Sequence, residues 1–365
     1  MNITFLIGNG FDISLGIKSS YGKFYEWYCD IPSDIEHIEK FRKEIQNDIN
    51  RNVPDEEKTW ADFELGLGKY TTKFTKETVE DFFDCVEDAQ TNIRTYLKEQ
   101  EEKFDVNAFT DRSFASFRES LWKFFEEVSD LEKVPINATL NSVLNENKEI
   151  SFITFNYTRT LELILKMLPD SPLATWKHGS TIYAYKVNPN IVHVHGTTEI
   201  FPVLGVNDET QIANKTLLEV PQFKELLLKA ENVTALGQLW HNQAEQLISK
   251  SRIICILGMS LGASDAKWWR KLVQWLKADG TRHLIIYWHE KDPPNGISSR
   301  KQLRCVNDTK EKLIAYSDLS EKELTTIKSR IHVVINTQKF MVLKRSAEYE
   351  IKREQDRIEK ELATI

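Results

Sequence analysis

Asn2-Ile3-Thr4-Phe5-Leu6-Ile7, followed by Gly8-Asn9-Gly10-Phe11-Asp12, reads as a buried strand running straight into a glycine turn. A short, nearly continuous apolar run fits a strand covered on both faces, as in a parallel sheet. Gly8 and Gly10 let backbone approach closely, and a helix start beyond them adds partial positive charge suited to phosphate. The same turn also serves as an ordinary strand-to-helix connection. A dehydrogenase fingerprint needs a third glycine where Ile13 stands, and a second strand ending in an acid about 20 residues on. Helical sequence occupies that place instead, so hydride transfer is disfavoured.

Further strand signals lie at Ile150–Phe155, Ile191–His195, Val203–Leu204, Arg252–Leu257, His283–Trp288 and Ile331–Ile335. Helical patterns separate several of them, at Thr158–Leu168, Phe223–Lys250 and Asp265–Ala278. The alternation predicts an α/β fold, a Rossmann-like, mainly parallel sheet flanked by helices, spanning 1–30 and 148–340. Residues 31–147 carry Phe, Trp, Glu and Lys at helical spacing, with few β-branched runs, and read as a large helical insertion. Residues 341–365 read as a charged C-terminal helix with a thin apolar stripe of Ile351, Ile358 and Leu362.

The bulk properties exclude several classes. The chain has 365 residues and is 41% hydrophobic, enough for one large domain with an insertion. A formal charge of −7 argues against electrostatic wrapping of nucleic acid. There is no apolar run of the roughly 18 residues that a membrane span requires. The first residues lack the pattern of a signal peptide, and Cys29, Cys85, Cys255 and Cys305 form no CxxC pair. A cytoplasmic protein without a zinc ribbon or a disulfide framework is expected.

The chemistry-bearing residues follow the strands. After the first come Gly8, Asn9 and Gly10; after the others come Asn156-Tyr157-Thr158, His195-Gly196 and Gly258-Met259-Ser260. Ligands of open parallel sheets bind beyond the carboxyl ends of strands, so these groups are expected to converge on one crevice. Asp12 either caps a helix or bonds a ribose hydroxyl. Asn156 either caps the next helix or orients ribose or water. His195 is either a general base or a hydrogen-bonded core histidine. Strand alternation places His193 on the same face as His195. A metal site built from that pair with His178 or His241 has no supporting acidic ligand spacing. Asp265 is either an N-cap or a ligand contact, while Trp268, Trp269 and Trp275 read as core. Thr59 with Asp62 approximates a capping box, leaving a site role for Asp62 or Glu64 as the other reading.

Taken together, Phe5–Asp12 with Gly16 and Tyr21, Trp60-Ala61-Asp62-Phe63-Glu64, Phe155–Glu162, His193–Gly196, Leu204–Asp208 and Gly258–Gly262 with Asp265 resemble the bacterial abortive-infection AbiH family, in family order. That family in turn resembles sirtuin-like NAD-binding proteins. Gly8-x-Gly10 with Gly16-Ile17 is similar to the sirtuin glycine loop. Asn156, His195-Gly196 and Gly258-Met259-Ser260 match its Asn, His-Gly and Gly-Thr-Ser elements. Thr158 stands in place of the sirtuin Asp, and Lys18-Ser19-Ser20-Tyr21 in place of Pro-Asp-Phe-Arg. With no zinc cysteines either, protein deacetylation is not expected.

The resemblance implies an anti-phage effector that binds NAD and hydrolyses it to nicotinamide and ADP-ribose, without a metal. It assigns Asn156 and His195 to catalysis. It assigns Gly8, Asn9, Gly10, Phe11, Asp12, Tyr157, Thr158, Gly258, Ser260 and Asp265 to binding NAD, with the glycine turn and Ser260 on the pyrophosphate and adenosine side. A homo-oligomer and a phage-derived trigger protein are the partners it suggests. A non-catalytic sensor of NAD or ADP-ribose, or a nuclease-like effector using His193, His195 and an acidic residue from the helical insertion, are the alternatives.

Overall fold

The computed structural model describes residues 1–54, 57–200, 202–291 and 299–346, with Tyr349 and Gln355. The charged helix expected over 341–365 lies mostly outside the described residues. Among them, no helix is long and apolar enough to cross a membrane.

The core of the molecule is a seven-stranded sheet: β1 (Asn2–Ile7), β2 (Lys148–Thr154), β3 (Ala174–His178), β4 (Thr181–His193), β5 (Ser251–Leu257), β6 (His283–Trp288) and β7 (Ile331–Ile335), in the order β3-β4-β2-β1-β5-β6-β7. Every pairing is parallel except that of β3 with β4. β1 is central, with Phe5 opposite Phe152 on one side and Cys255 on the other. Burial on both faces explains its unbroken apolar run.

Helices cover both faces. On one, α1 (Asn9–Ser14), α6 (Asp111–Trp122), α7 (Asp130–Asn141) and α8 (Thr160–Lys166) pack Phe11, Phe117, Ile136 and Ile164 onto Ile3, Phe5, Phe152 and Cys255. On the other, α11 (Trp240–Lys250), α12 (Ala266–Ala278), α13 (Ser299–Ile314) and α14 (Glu321–Lys328) pack against Leu6, Ile153, Ile254 and Ile286. A second core of aromatic residues stands apart. It is built by α2 (Tyr21–Tyr28), α3 (Glu36–Ile49), α4 (Phe63–Tyr70) and α5 (Val79–Glu102), joined by Leu204, Val206 and Phe223–Leu228. We call this unit the cap.

The long helical stretch therefore divides: 21–102 forms the cap, and 106–141 is a layer of the sheet domain. Other sequence expectations need correction. Val203–Leu204 is not a strand; both residues are buried outside regular structure, and Leu204 joins the cap core. The strand at Ile191 begins at Thr181 and stops at His193, so His195 sits in the turn beyond it. Phe223–Lys250 is three helices, α9 (Phe223–Leu227), α10 (Lys229–Ala235) and α11, because Leu228 is extended and Gly237 adopts a φ of 66°. The antiparallel β3–β4 hairpin was not anticipated, although Gly179-Ser180 between alternating aromatic runs is a two-residue turn signal.

Candidate functional site

The chain leaves β1 for β2 and β4 on one side, then returns to β5 on the other. The crevice beyond the strand ends at such a reversal is where open α/β sheets bind ligands. Here it is a cleft of about 440 Å³, walled on one side by the turns after β1, β2, β4 and β5 and on the other by Tyr21, Asp62, Glu64, Ile93 and Leu97 of the cap. Gly8, Asn9, Gly10, Asp12, Asn156, Tyr157, Thr158, His195, Gly258, Ser260 and Asp265 all line it. Phe11 does not. Its side chain points from α1 into the sheet core, 6.5 Å from the ring of Phe117, because adjacent helical residues face different directions.

The glycine turn has a structural duty. Gly10 N–H donates to the Gly258 carbonyl at 2.8 Å, Gly8 N–H to the Leu257 carbonyl at 2.9 Å, and Phe11 N–H to the Gly8 carbonyl at 3.0 Å. A Cβ on Gly10 would sit 2.7 Å from the Gly258 Cα, and Gly258 itself has a φ of 72°. Both glycines are required because two backbones touch. The Gly8 and Gly10 amides are consequently engaged within the protein. Asn9 is engaged as well: its amide donates to the Ser19 carbonyl at 2.9 Å, and its carbonyl oxygen accepts from the Ser19 hydroxyl.

Beside this seam lies a polar floor. Asp12 is buried and accepts a hydrogen bond from the Thr158 hydroxyl, so neither residue caps a helix. Burial pushes the Asp12 carboxyl up to about 7, with Thr158 and Asn156 pulling it back. Asn156 is not a cap either. Its backbone carbonyl receives His193 Nδ1 at 2.9 Å, while His193 Nε2 meets Glu162 Oε1 at 2.7 Å. His193 thus supports the turn from beneath and does not share a site with His195, contrary to the same-face expectation. The side-chain oxygens Asp12 Oδ1 and Asn156 Oδ1 are buried and have no hydrogen-bond partner.

His195 forms the far end of the floor. Its ring lies edge-on to Phe155, with centroids 5.4 Å apart, and Phe155 stacks on Trp269, one of the three core tryptophans of α12. Burial, reinforced by nearby Lys229, holds the imidazole well below its ordinary range and therefore neutral. Its Nε2 is buried without a hydrogen bond, 3.5 Å from Asp265 Oδ1. Asp265 stands at the N-cap position of α12 but makes no capping bond. Asp62, not Thr59, caps α4, accepting from the amides of Glu64 and Leu65 at 3.1 Å each.

Sequence reasoning missed Lys229. Its ammonium is buried between Glu64 Oε2 at 2.7 Å and Asp265 Oδ1 at 3.2 Å. Burial favours the neutral amine, but the Asp265 and Glu64 carboxylates outweigh it and raise the pKa above the ordinary lysine value. Burial likewise pushes the Glu64 carboxyl up, and the Lys229 ammonium at 2.7 Å pulls it back as an ion pair. No local signal distinguishes Lys229 from the other lysines of its segment.

His178 lies on the β3 edge and His241 beside Lys267 Nζ at 3.3 Å. Among the described residues, no three His, Cys, Asp or Glu side chains are grouped to hold a metal ion.

A family model described as bacteriophage abortive infection AbiH matches residues 4–287, which contain every residue of this cleft. No curated protein matches the chain.

Proposed function

Since the chain belongs to the AbiH family of bacteriophage abortive infection proteins, we propose that it serves that role by cleaving the bond between nicotinamide and ribose in NAD. The observation that carries this reading is the grouping of three buried, unpartnered acceptors, Asp12 Oδ1, Asn156 Oδ1 and His195 Nε2, on one cleft. A buried polar atom without a partner is costly, so three on one wall call for a ligand that brings donors. The hydroxyls of a ribose are such donors.

In this reading Asn156 and Asp12 hold the nicotinamide ribose. Departure of nicotinamide builds positive charge on that ribose, and the acidic side chains of Asp62 and Asp265 at the cleft favour it. Neutral His195 takes a proton at Nε2 from water or a ribose hydroxyl, an effect of roughly 10²–10⁴-fold. The phosphates turn away from the engaged glycine seam, toward Ser20, Tyr21 and Gly22 at the start of α2.

The test is nicotinamide release from NAD by the purified full-length protein, with and without lysate of phage-infected cells. Asn156→Ala and His195→Ala should each lower release by about 100-fold or more while the thermal transition stays in place. Equal release by the double variant would sink the assignment. NAD binding without release would favour a sensor instead.

A further inference from the structure

Lys229 opens α10 in the segment leading from the cap to α11. Lys224, one helix earlier, is exposed and paired with Glu209, whereas the Lys229 side chain is only 3% exposed. An ammonium has three donors, and this one has three acceptors: Glu64 Oε2, Asp265 Oδ1 and, at 3.1 Å, the Ser264 carbonyl. Glu64 belongs to the cap; Ser264 and Asp265 belong to the loop after β5. One side chain therefore ties the two walls of the cleft together.

The oxygen at the end of this chain has a second neighbour. Asp265 Oδ1 is 3.2 Å from the Lys229 ammonium and 3.5 Å from His195 Nε2. When Nε2 takes a proton the ring becomes a cation, and a carboxylate at that distance stabilises it. An ammonium bound to the same oxygen opposes that stabilisation, unless its own charge is balanced from elsewhere. Glu64 is placed to balance it. The other titratable groups around this chain are Asp62 at the α4 N-cap, Tyr157 after β2 and His241 of α11.

We propose that Glu64 and Lys229 are positioning residues that tune the proton affinity of His195 through Asp265, so that the seating of the cap on the sheet domain sets whether His195 works as a base. With α4 in place, Glu64 offsets Lys229 and leaves Asp265 to steady the protonated ring. With α4 withdrawn, the ammonium closes on Asp265 alone and His195 becomes a weaker base. The proposal rests on the NAD-cleaving reading for its rate consequences, but not for its effect on the ring.

Two variants separate tuning from structure. Glu64→Gln keeps an oxygen within reach of Lys229 and removes only the charge. Glu64→Gln combined with Lys229→Met removes both charges of the pair. In the first, the acid limb of the pH–rate profile for nicotinamide release should move down by about one pH unit. Its kcat should fall by up to about tenfold, with KM changed by less than about threefold. In the second, the acid limb should move the opposite way. The titration of the His195 ring nitrogens, followed by 15N NMR, should shift in the same two directions with no substrate present. Opposite displacements establish the coupling. Folded variants whose His195 titration matches the parent, or moves the same way in both, would overturn it. If the parent protein releases no nicotinamide, the NAD reading fails, and the NMR titration alone decides the coupling.

Discussion

The two halves of the stretch between β1 and β2 are both helical and aromatic-rich, yet they do different work. Residues 106–141 lay Phe114, Phe117 and Leu121 on the sheet and complete its core. Residues 21–102 turn Phe41, Trp60, Phe63 and Phe82 toward one another, with Leu204, Val206 and Phe223 from later in the chain, and meet the sheet domain across a polar cleft. Which neighbour a helix finds, rather than its composition, decides whether it becomes scaffold or wall of a site. The half that keeps its own core is free to present charged residues such as Glu64 to the other domain.

This contrast can be broken by experiment. The largest effect is expected from Phe117→Ala, in a fully buried side chain of the scaffold half. It should cost about 4 kcal/mol and lower the urea midpoint of the whole molecule in a single transition. Phe82→Ala, equally buried but in the cap, should cost about 3 kcal/mol. Its signature is local: amide exchange should quicken in α2–α5 while β1, β2 and β5 stay protected. If the two variants give the same exchange pattern, the division into two cores is wrong.

A third effect lies at the boundary and depends on pH. Burial raises the Asp12 carboxyl to about 7 from an ordinary value of 3.8. A raised acid favours the folded state while protonated. Its contribution is complete below about pH 3.8 and is lost as pH climbs through about 7. Asp12→Asn should therefore match the parent in stability at pH 4 and exceed it by up to roughly 4 kcal/mol at pH 8. A denaturant series at both values checks the sign, and a variant less stable at pH 8 than at pH 4 relative to the parent would contradict it.

Much of the sheet was legible because parallel strands, buried on both faces, announce themselves as apolar runs. The residues after them were legible because polar and glycine residues interrupt those runs abruptly, as at Ile7-Gly8 and Phe155-Asn156. What escaped depends on distance in the chain. Lys229 meets Glu64 and Asp265 only once 165 and 36 residues of chain have been folded between them. Leu204 is apolar for the sake of the cap core and carries no mark of that destination. Phe11 and Asp12 are adjacent in an apparent binding motif, yet one faces Phe117 and the other Thr158. A motif read as a string does not reveal which way each side chain points. The helices α13 and α14 were overlooked because charged residues dominate them and their apolar stripes are narrow.

The glycine seam between β1 and β5 has a consequence for how the chain can vary in length. Two corners of the sheet are joined there backbone to backbone, with no side chain between them to absorb a change. An added or deleted residue at either corner would displace the other. The large helical excursion leaves the sheet after α1, past this joint, where extra chain can be accommodated without prising the corners apart.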